Sequence, residues 1–95
     1  MIDRYVQFFK ALADEKRQEI LQMLEEHDMN VTEICEEFEN VTQPTISHHL
    51  QILRNCGVID SRKQGKLIYY YIRRGCISDN CREFFGRFKI EVKGE

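Results

Sequence analysis

Long apolar runs are missing from this chain: nothing in it approaches the roughly eighteen consecutive apolar residues of a membrane span. Its N-terminus also lacks the pattern of a secretory signal. Together these absences set the expectation of a soluble, cytoplasmic protein without membrane contact. Cys-x-x-Cys is missing too, although there are four cysteines, so neither a zinc ribbon nor a thioredoxin-like centre is indicated. With neither a signal nor a loop-rich framework around them, the cysteines are expected as free thiols in a reducing compartment. There is no Gly-rich phosphate loop, and no His/Asp partner stands at a recognisable spacing from a cysteine nucleophile, so no enzyme is expected. Internal repeats, low-complexity tracts and linkers are likewise absent, which leaves the 95 residues as one domain, 1–95, with a modest core. At this size a second copy of the chain is an expected source of extra stability.

What the sequence does have is an uneven distribution of charge behind a formal net charge of only −2. Residues 1–40 carry four Lys/Arg against eleven Asp/Glu, a balance of −7. Residues 41–75 carry six Lys/Arg against Asp60 alone, a balance of +5, and the last twenty residues hold four of each sign. Such asymmetry points to one face built for an anionic partner. A chance unevenness of solvated surface is the competing reading, and the motifs decide between them.

Hydrophobic spacing supplies the elements. Ile2, Tyr5, Val6, Phe9 and Leu12 recur at helical steps. Asp14 is placed to cap a second helix, with Glu15 at its positive end and Ile20, Leu21 and Leu24 along one face. Thr32 is the expected cap of a short third helix that buries Ile34, Cys35 and Phe38. Thr42 caps a fourth, at about Thr42–Leu53, with the only proline, Pro44, in its first turn and Ile46, Leu50 and Leu53 as core positions. Gly57 ends it. The period then shortens: Val58 and Ile59 lead to a polar segment, Ser61–Lys66, and on to Leu67–Ile72, which together predict a hairpin. Ile77, Cys81, Phe84, Phe85 and Phe88 mark a last helix. The predicted fold is mainly α with a β-hairpin wing, an α+β winged helix-turn-helix in the order α-α-α-α-β-β-α.

The second helix of a helix-turn-helix can enter the DNA major groove. With Ile46, Leu50 and Leu53 facing the core, Gln43, Thr45, Ser47 and His48 point outward near the N-terminal end, together with the capping Thr42. These are hydrogen-bonding groups suited to base edges and phosphates. An ordinary capped surface helix would carry the same residue types. The hairpin tips the balance: Arg62, Lys63 and Lys66 cluster around Gly65, where cationic side chains can reach phosphates or the minor groove. Arg54 adds charge at the end of the helix, and Arg73 and Arg74 add more nearby.

The residues themselves carry a resemblance. Phe9-Lys10-Ala11-Leu12-Ala13-Asp14, with Arg17 and Ile20-Leu21, is similar to the opening of the ArsR/SmtB family of metal- and stress-responsive repressors. Thr42 to Arg54 resembles that family's recognition-helix segment almost throughout, and Gly57-Val58-Ile59, Arg62–Lys66 and Tyr69–Tyr71 resemble its wing. The likeness covers roughly residues 8–72, and Glu15-Lys16 departs from the usual Pro-Thr. It implies a sequence-specific repressor that binds double-stranded DNA at a pseudo-palindromic operator as a homodimer. It also implies that the first and last helices form the dimer interface. A winged-helix module that docks a protein partner without DNA is the alternative.

Family members often sense metals or oxidants through Cys and His ligands. At the positions of the family's Cys-x-Cys pair this chain has Asn30 and Thr32. At the last-helix site it has Arg74, Cys76, Arg87 and Ile90, so neither usual metal site is expected. Cys35 and Cys56 read as buried, inert thiols. Cys76 and Cys81 are the candidate effector-sensing residues. Cys76 stands at a helix start after Arg73-Arg74, a setting that favours thiolate. Five residues of regular helix would hold Cys76 and Cys81 about 140° apart, so they would pair only across a dimer or with Cys76 ahead of the helix. Three outcomes stay open: no ligand, a thiol redox or persulfide switch, or a soft metal or arsenite held by cysteine. No cofactor is certain.

Overall fold

The computed structural model describes residues 3–91. The elements run α1 (Arg4–Leu12), α2 (Glu15–Glu26), β1 (Met29–Asn30), α3 (Val31–Glu36), α4 (Gln43–Asn55), β2 (Ile59–Gln64), β3 (Leu67–Ile72) and α5 (Arg74–Gly86). The order matches the predicted winged helix-turn-helix, with one addition. β1 pairs antiparallel with β3 through Met29↔Tyr70 and Asn30↔Tyr69, giving a sheet ordered β1-β3-β2. A two-residue strand has no periodicity to read, because its pairing comes wholly from the wing's stem.

Local chemistry sets most helix ends. Asp14 accepts the Arg17 N–H at 3.0 Å and caps α2 as expected. At α3 the expectation of a Thr32 cap fails. Asn30 is the N-cap: its side chain accepts the Glu33 N–H at 2.9 Å, while Glu33 accepts the Asn30 N–H at 3.0 Å. This reciprocal box satisfies two otherwise orphaned donors, which a lone threonine inside the first turn cannot do. Asn40, at φ 58°, makes the turn from α3 into α4. Thr42 caps α4, and Pro44 lies in its first turn. At the far end Gly57, at φ +87°, donates to Arg54 O (3.0 Å) while Val58 donates to Leu53 O (3.2 Å). That is the left-handed Schellman ending, closed by contact between two buried side chains, Leu53 and Val58.

Ile46, Leu50 and Leu53 of α4 pack with Ile20 and Leu24 of α2, Ile34 of α3, and Val58 and Ile59. α1 contributes Phe8 and Ala11 rather than the expected stripe. Tyr5, Phe9 and Leu12 are only half-buried, Val6 is 44% exposed, and Ile2 lies outside the described residues. The stripe therefore marks a second apolar face of α1. Phe9 and Tyr5 meet Phe84 of α5 there, at centroid distances of 4.8 and 6.1 Å. No residue of α5 is buried, although it carries Phe84, Phe85 and Ile77.

Candidate nucleic-acid interface

α3 and α4 meet at the left-handed turn of Asn40, and the buried edge of α4 fixes which side chains it turns outward. Thr42, Gln43, Thr45, Ser47 and His48 are all exposed. Three are already engaged. Thr42 Oγ1 accepts the Thr45 N–H as the cap and lies 3.1 Å from Thr45 Oγ1. Gln43 donates to Thr32 Oγ1 at 3.3 Å, so the threonine expected to cap α3 instead ties α3 to α4. Gln51 was missed in the sequence reading. It lies three and four residues beyond His48 and Ser47, on the face opposite Ile46 and Leu53, and is exposed. Its side chain donates to Asn55 Oδ1 at 2.8 Å. Helical phase taken past the first two turns would have found it.

His49 faces the other way. Burial holds its imidazole below the ordinary pKa, a trend that Asp14 opposes and Arg17 reinforces. The Arg17 guanidinium lies 3.2 Å from His49 Nδ1 while donating to the carbonyls of Ala11 and Lys10. Arg17 has only N–H groups to offer, so Nδ1 accepts and the neutral ring carries its proton on Nε2. One arginine thus locks the end of α1 to the middle of α4, and the histidine is a packing residue.

The wing is a six-pair ladder from Ile59↔Ile72 to Gln64↔Leu67, closed by Gly65 and Lys66. Gly65 sits at φ +63° in the first position of this two-residue turn, where a positive φ matches the twist of the strands. The four expected cations divide into two classes. Arg62 pairs with Asp28 at 3.0 Å, donates to Gln64 at 2.9 Å and lies over the Tyr69 ring; Arg54 pairs with Asp60 at 3.4 Å. Lys63 and Lys66 make no ion pair among the described residues and stand exposed at the tip.

A recognition-type helix with an exposed polar face beside a cationic hairpin is the geometry of a DNA-reading winged helix. Residues 14–61 match the profile described as bacterial regulatory protein, arsR family. The chain belongs to the arsR family. It is 40% identical over 72 residues to the transcriptional repressor SdpR of Bacillus subtilis (strain 168), covering 76% of this chain and 79% of that one. It is 42% identical over 86 residues to the cadmium resistance transcriptional regulatory protein CadC of Listeria innocua, covering 90% and 71%. Among solved structures, the ArsR-like regulator from Rhodococcus sp. RHA1 superimposes with a TM-score of 0.79 at 29% identity, covering 90% of this chain and 78% of that one. Reduced HlyU from Vibrio cholerae N16961 gives 0.69 at 27%, covering 93% and 90%. This arsR-family protein is a transcription regulator of the DNA-binding winged-helix type and not an enzyme.

The family's usual metal positions do not fit a metal here. Asn30 is spent capping α3 and Thr32 accepts from Gln43, so neither presents a soft donor. On the last helix Arg74 pairs with Glu25 at 2.9 Å, Arg87 pairs with Asp3 at 3.1 Å, and Ile90 is exposed. Among the described residues no group of three or more His, Cys, Asp or Glu side chains is arranged to hold a metal ion. Cys76 is the third residue of α5 and Cys81 lies on the same unbroken helix, so the two cannot pair within one chain. No described helix is long and apolar enough to cross a membrane.

Proposed function

We propose that this arsR-family protein is a cytoplasmic, sequence-specific repressor, its residues 1–95 forming one winged unit that works as a homodimer. The α4 helix of each protomer reads one half of a pseudo-palindromic operator. Gln43, Thr45, Ser47 and His48 approach the bases, while Thr42, Lys63 and Lys66 hold phosphates. Arg54 and Arg62 join them by exchanging a half-exposed carboxylate partner for a phosphate. The observation that carries this reading is the exposed polar N-terminal half of α4 beside two lysines with no ion-pair partner among the described residues, in a segment whose charge balance is +5. Dimerisation is supported by a groove between α1 and α5 whose apolar side chains are Tyr5, Val6, Phe9, Ala13 and Phe84, and by Phe88, which is 61% exposed and packs against Phe84 at a centroid distance of 5.3 Å. A thiol-reactive signal acting through α5, where Cys76 and Cys81 lie, would release the DNA.

The test is a mobility-shift titration against duplexes selected from a randomised pool. Lys63→Ala or Lys66→Ala weakens binding to all sequences alike and lowers the salt slope by about 1. Gln43→Ala or Ser47→Ala relaxes base preference as well. If both classes of variant leave affinity and preference intact, the assigned surface is wrong. Failure of the native chain to bind any duplex would favour a protein-docking module instead.

A further inference from the structure

An open cavity of about 550 Å³ lies between the C-terminal end of α4 and the first turn of α5, and two thiols line it: Cys56 and Cys76. Cys56 is the C-cap of α4. Twenty residues separate it from Cys76, but the Arg73 N–H donates to the Val58 carbonyl at 2.9 Å and pins the start of α5 to the turn that ends α4. Gly57 then makes room. A Cβ at that position would lie 3.2 Å from Cys76 Sγ, so a side chain there would crowd this thiol. Cys76 Sγ is 3.9 Å from the Cys56 carbonyl oxygen, and Cys56 Sγ donates to Leu53 O at 3.3 Å. Both thiols are free and half-buried.

The surroundings of the two differ. Asn80 Nδ2 lies 3.3 Å from Cys76 Sγ. The Arg73 guanidinium comes within 3.7 Å of the same Gly57 position and makes no ion pair among the described residues. Burial, with Cys76 adding to it, pushes the Cys56 thiol above its ordinary range. Cys35 donates to Val41 O in the turn before α4, and Cys81 is not part of the cavity wall.

We propose that Cys56 and Cys76 form a peroxide-reactive dithiol whose disulfide staples the recognition helix to α5 and lowers affinity for DNA. The regulatory half rests on the DNA-binding reading above; the thiol chemistry does not. Cys76 sulfur attacks hydrogen peroxide: an S–O bond forms, the O–O bond breaks, water leaves, and Cys76 becomes a sulfenic acid. Cys56 then attacks that sulfur. The S–S bond forms, the S–O bond breaks, and the hydroxyl departs as water with the Cys56 proton. Two electrons pass from the sulfur pair to the peroxide, and a dithiol reductant returns them. To close the bond Cys56 gives up the Leu53 carbonyl and turns into the cavity. The staple then couples α4 to the helix that carries the uncovered aromatic face, which changes the angle between recognition helices in a dimer.

The experiment treats the full, reduced chain with hydrogen peroxide and follows intact mass, peptide maps and DNA affinity on a selected duplex. Expected is the loss of two hydrogens, a Cys56–Cys76 linked peptide, and an at least roughly tenfold weaker DNA affinity, all reversed by dithiothreitol. A Cys35→Ser/Cys81→Ser variant behaves identically, and Cys56→Ser stops at a sulfenic acid on Cys76 that dimedone captures. The idea is overturned if the unsubstituted chain consumes no thiol, or if the linked peptide joins other cysteines or two protomers. Unchanged DNA affinity at full conversion overturns it too. If the reduced chain binds no duplex, the DNA reading has failed, and the peptide map still decides whether these thiols pair.

Discussion

Replacing Gly57 by alanine probes the joint between α4 and the wing. Gly57 sits at φ +87°, where an L-residue pays about 1–2 kcal/mol in backbone sterics. Its new Cβ would also lie 3.2 Å from Cys76 Sγ, close enough that the thiol must retreat by a few tenths of an ångström. Overpacking costs about 1–3 kcal/mol in a tight core, and at the edge of an open cavity the lower end applies, about 1 kcal/mol. The expected loss is therefore about 2–3 kcal/mol, a large share of the roughly 5–15 kcal/mol that holds a small domain folded. Gly65 supplies the control. It has φ +63° and nothing within 4 Å of a Cβ, so Gly65→Ala bears only the backbone cost, about 1–2 kcal/mol. Urea unfolding followed by circular dichroism, at one protein concentration, measures both. Adding Cys76→Ala to Gly57→Ala should restore about 1 kcal/mol, because the clashing sulfur is gone. A Gly57→Ala cost no larger than that of Gly65→Ala, or no recovery in the double variant, refutes the packing argument.

Other consequences are equally direct. His49 has a depressed pKa in the folded chain, so its contribution is intact above the ordinary value of 6.5 and is lost as pH falls through the lower, folded value. The urea midpoint should fall across that window, and His49→Gln should flatten the fall. Asp14, held below 3.8 chiefly by the Arg17 N–H it caps, gives a second decline at more acid pH. Ile46→Ala, at a position with 0% exposure, should cost about 2–5 kcal/mol in the same assay. Arg62→Ala should change stability by less than about 1 kcal/mol, since its ion pair with Asp28 is half in solvent. Val6→Lys with Phe88→Lys should shift sedimentation toward monomer at unchanged helix content; an unaltered profile would remove α1 and α5 from the dimer interface.

Much of this protein could be read without coordinates because the information is local. Thr42, Pro44 and Gly57 delimit α4 through the backbone groups within a few residues of each. Ile46, Leu50 and Leu53 recur at the helical period, and that fixed both the core face and the polar face opposite. The wing follows from two β-rich runs around one glycine. These features depend on dihedral preference and spacing, which the order of residues specifies directly.

What the sequence left open depends on partners far away in the chain. The strand β1 exists only because Met29 and Asn30 lie against Tyr70 and Tyr69. Asn30, not Thr32, caps α3 through a reciprocal bond with Glu33, a spacing present in the sequence whose role depends on where the helix actually starts. Periodicity showed that α1 has an apolar stripe, but not whether the core or another face would take it; Phe8 and Ala11 took the core. Arg54 at the end of α4 and Arg62 in the wing read as free charge, but Asp60 and Asp28 lie beside them in the fold. Cys56, which reads from the sequence as interior and inert, lines the same cavity as Cys76 because the Arg73–Val58 hydrogen bond holds the start of α5 against the end of α4. Spacing along one helix can exclude a pairing, as it did for Cys76 and Cys81, but only the packing of one helix end against another can create one.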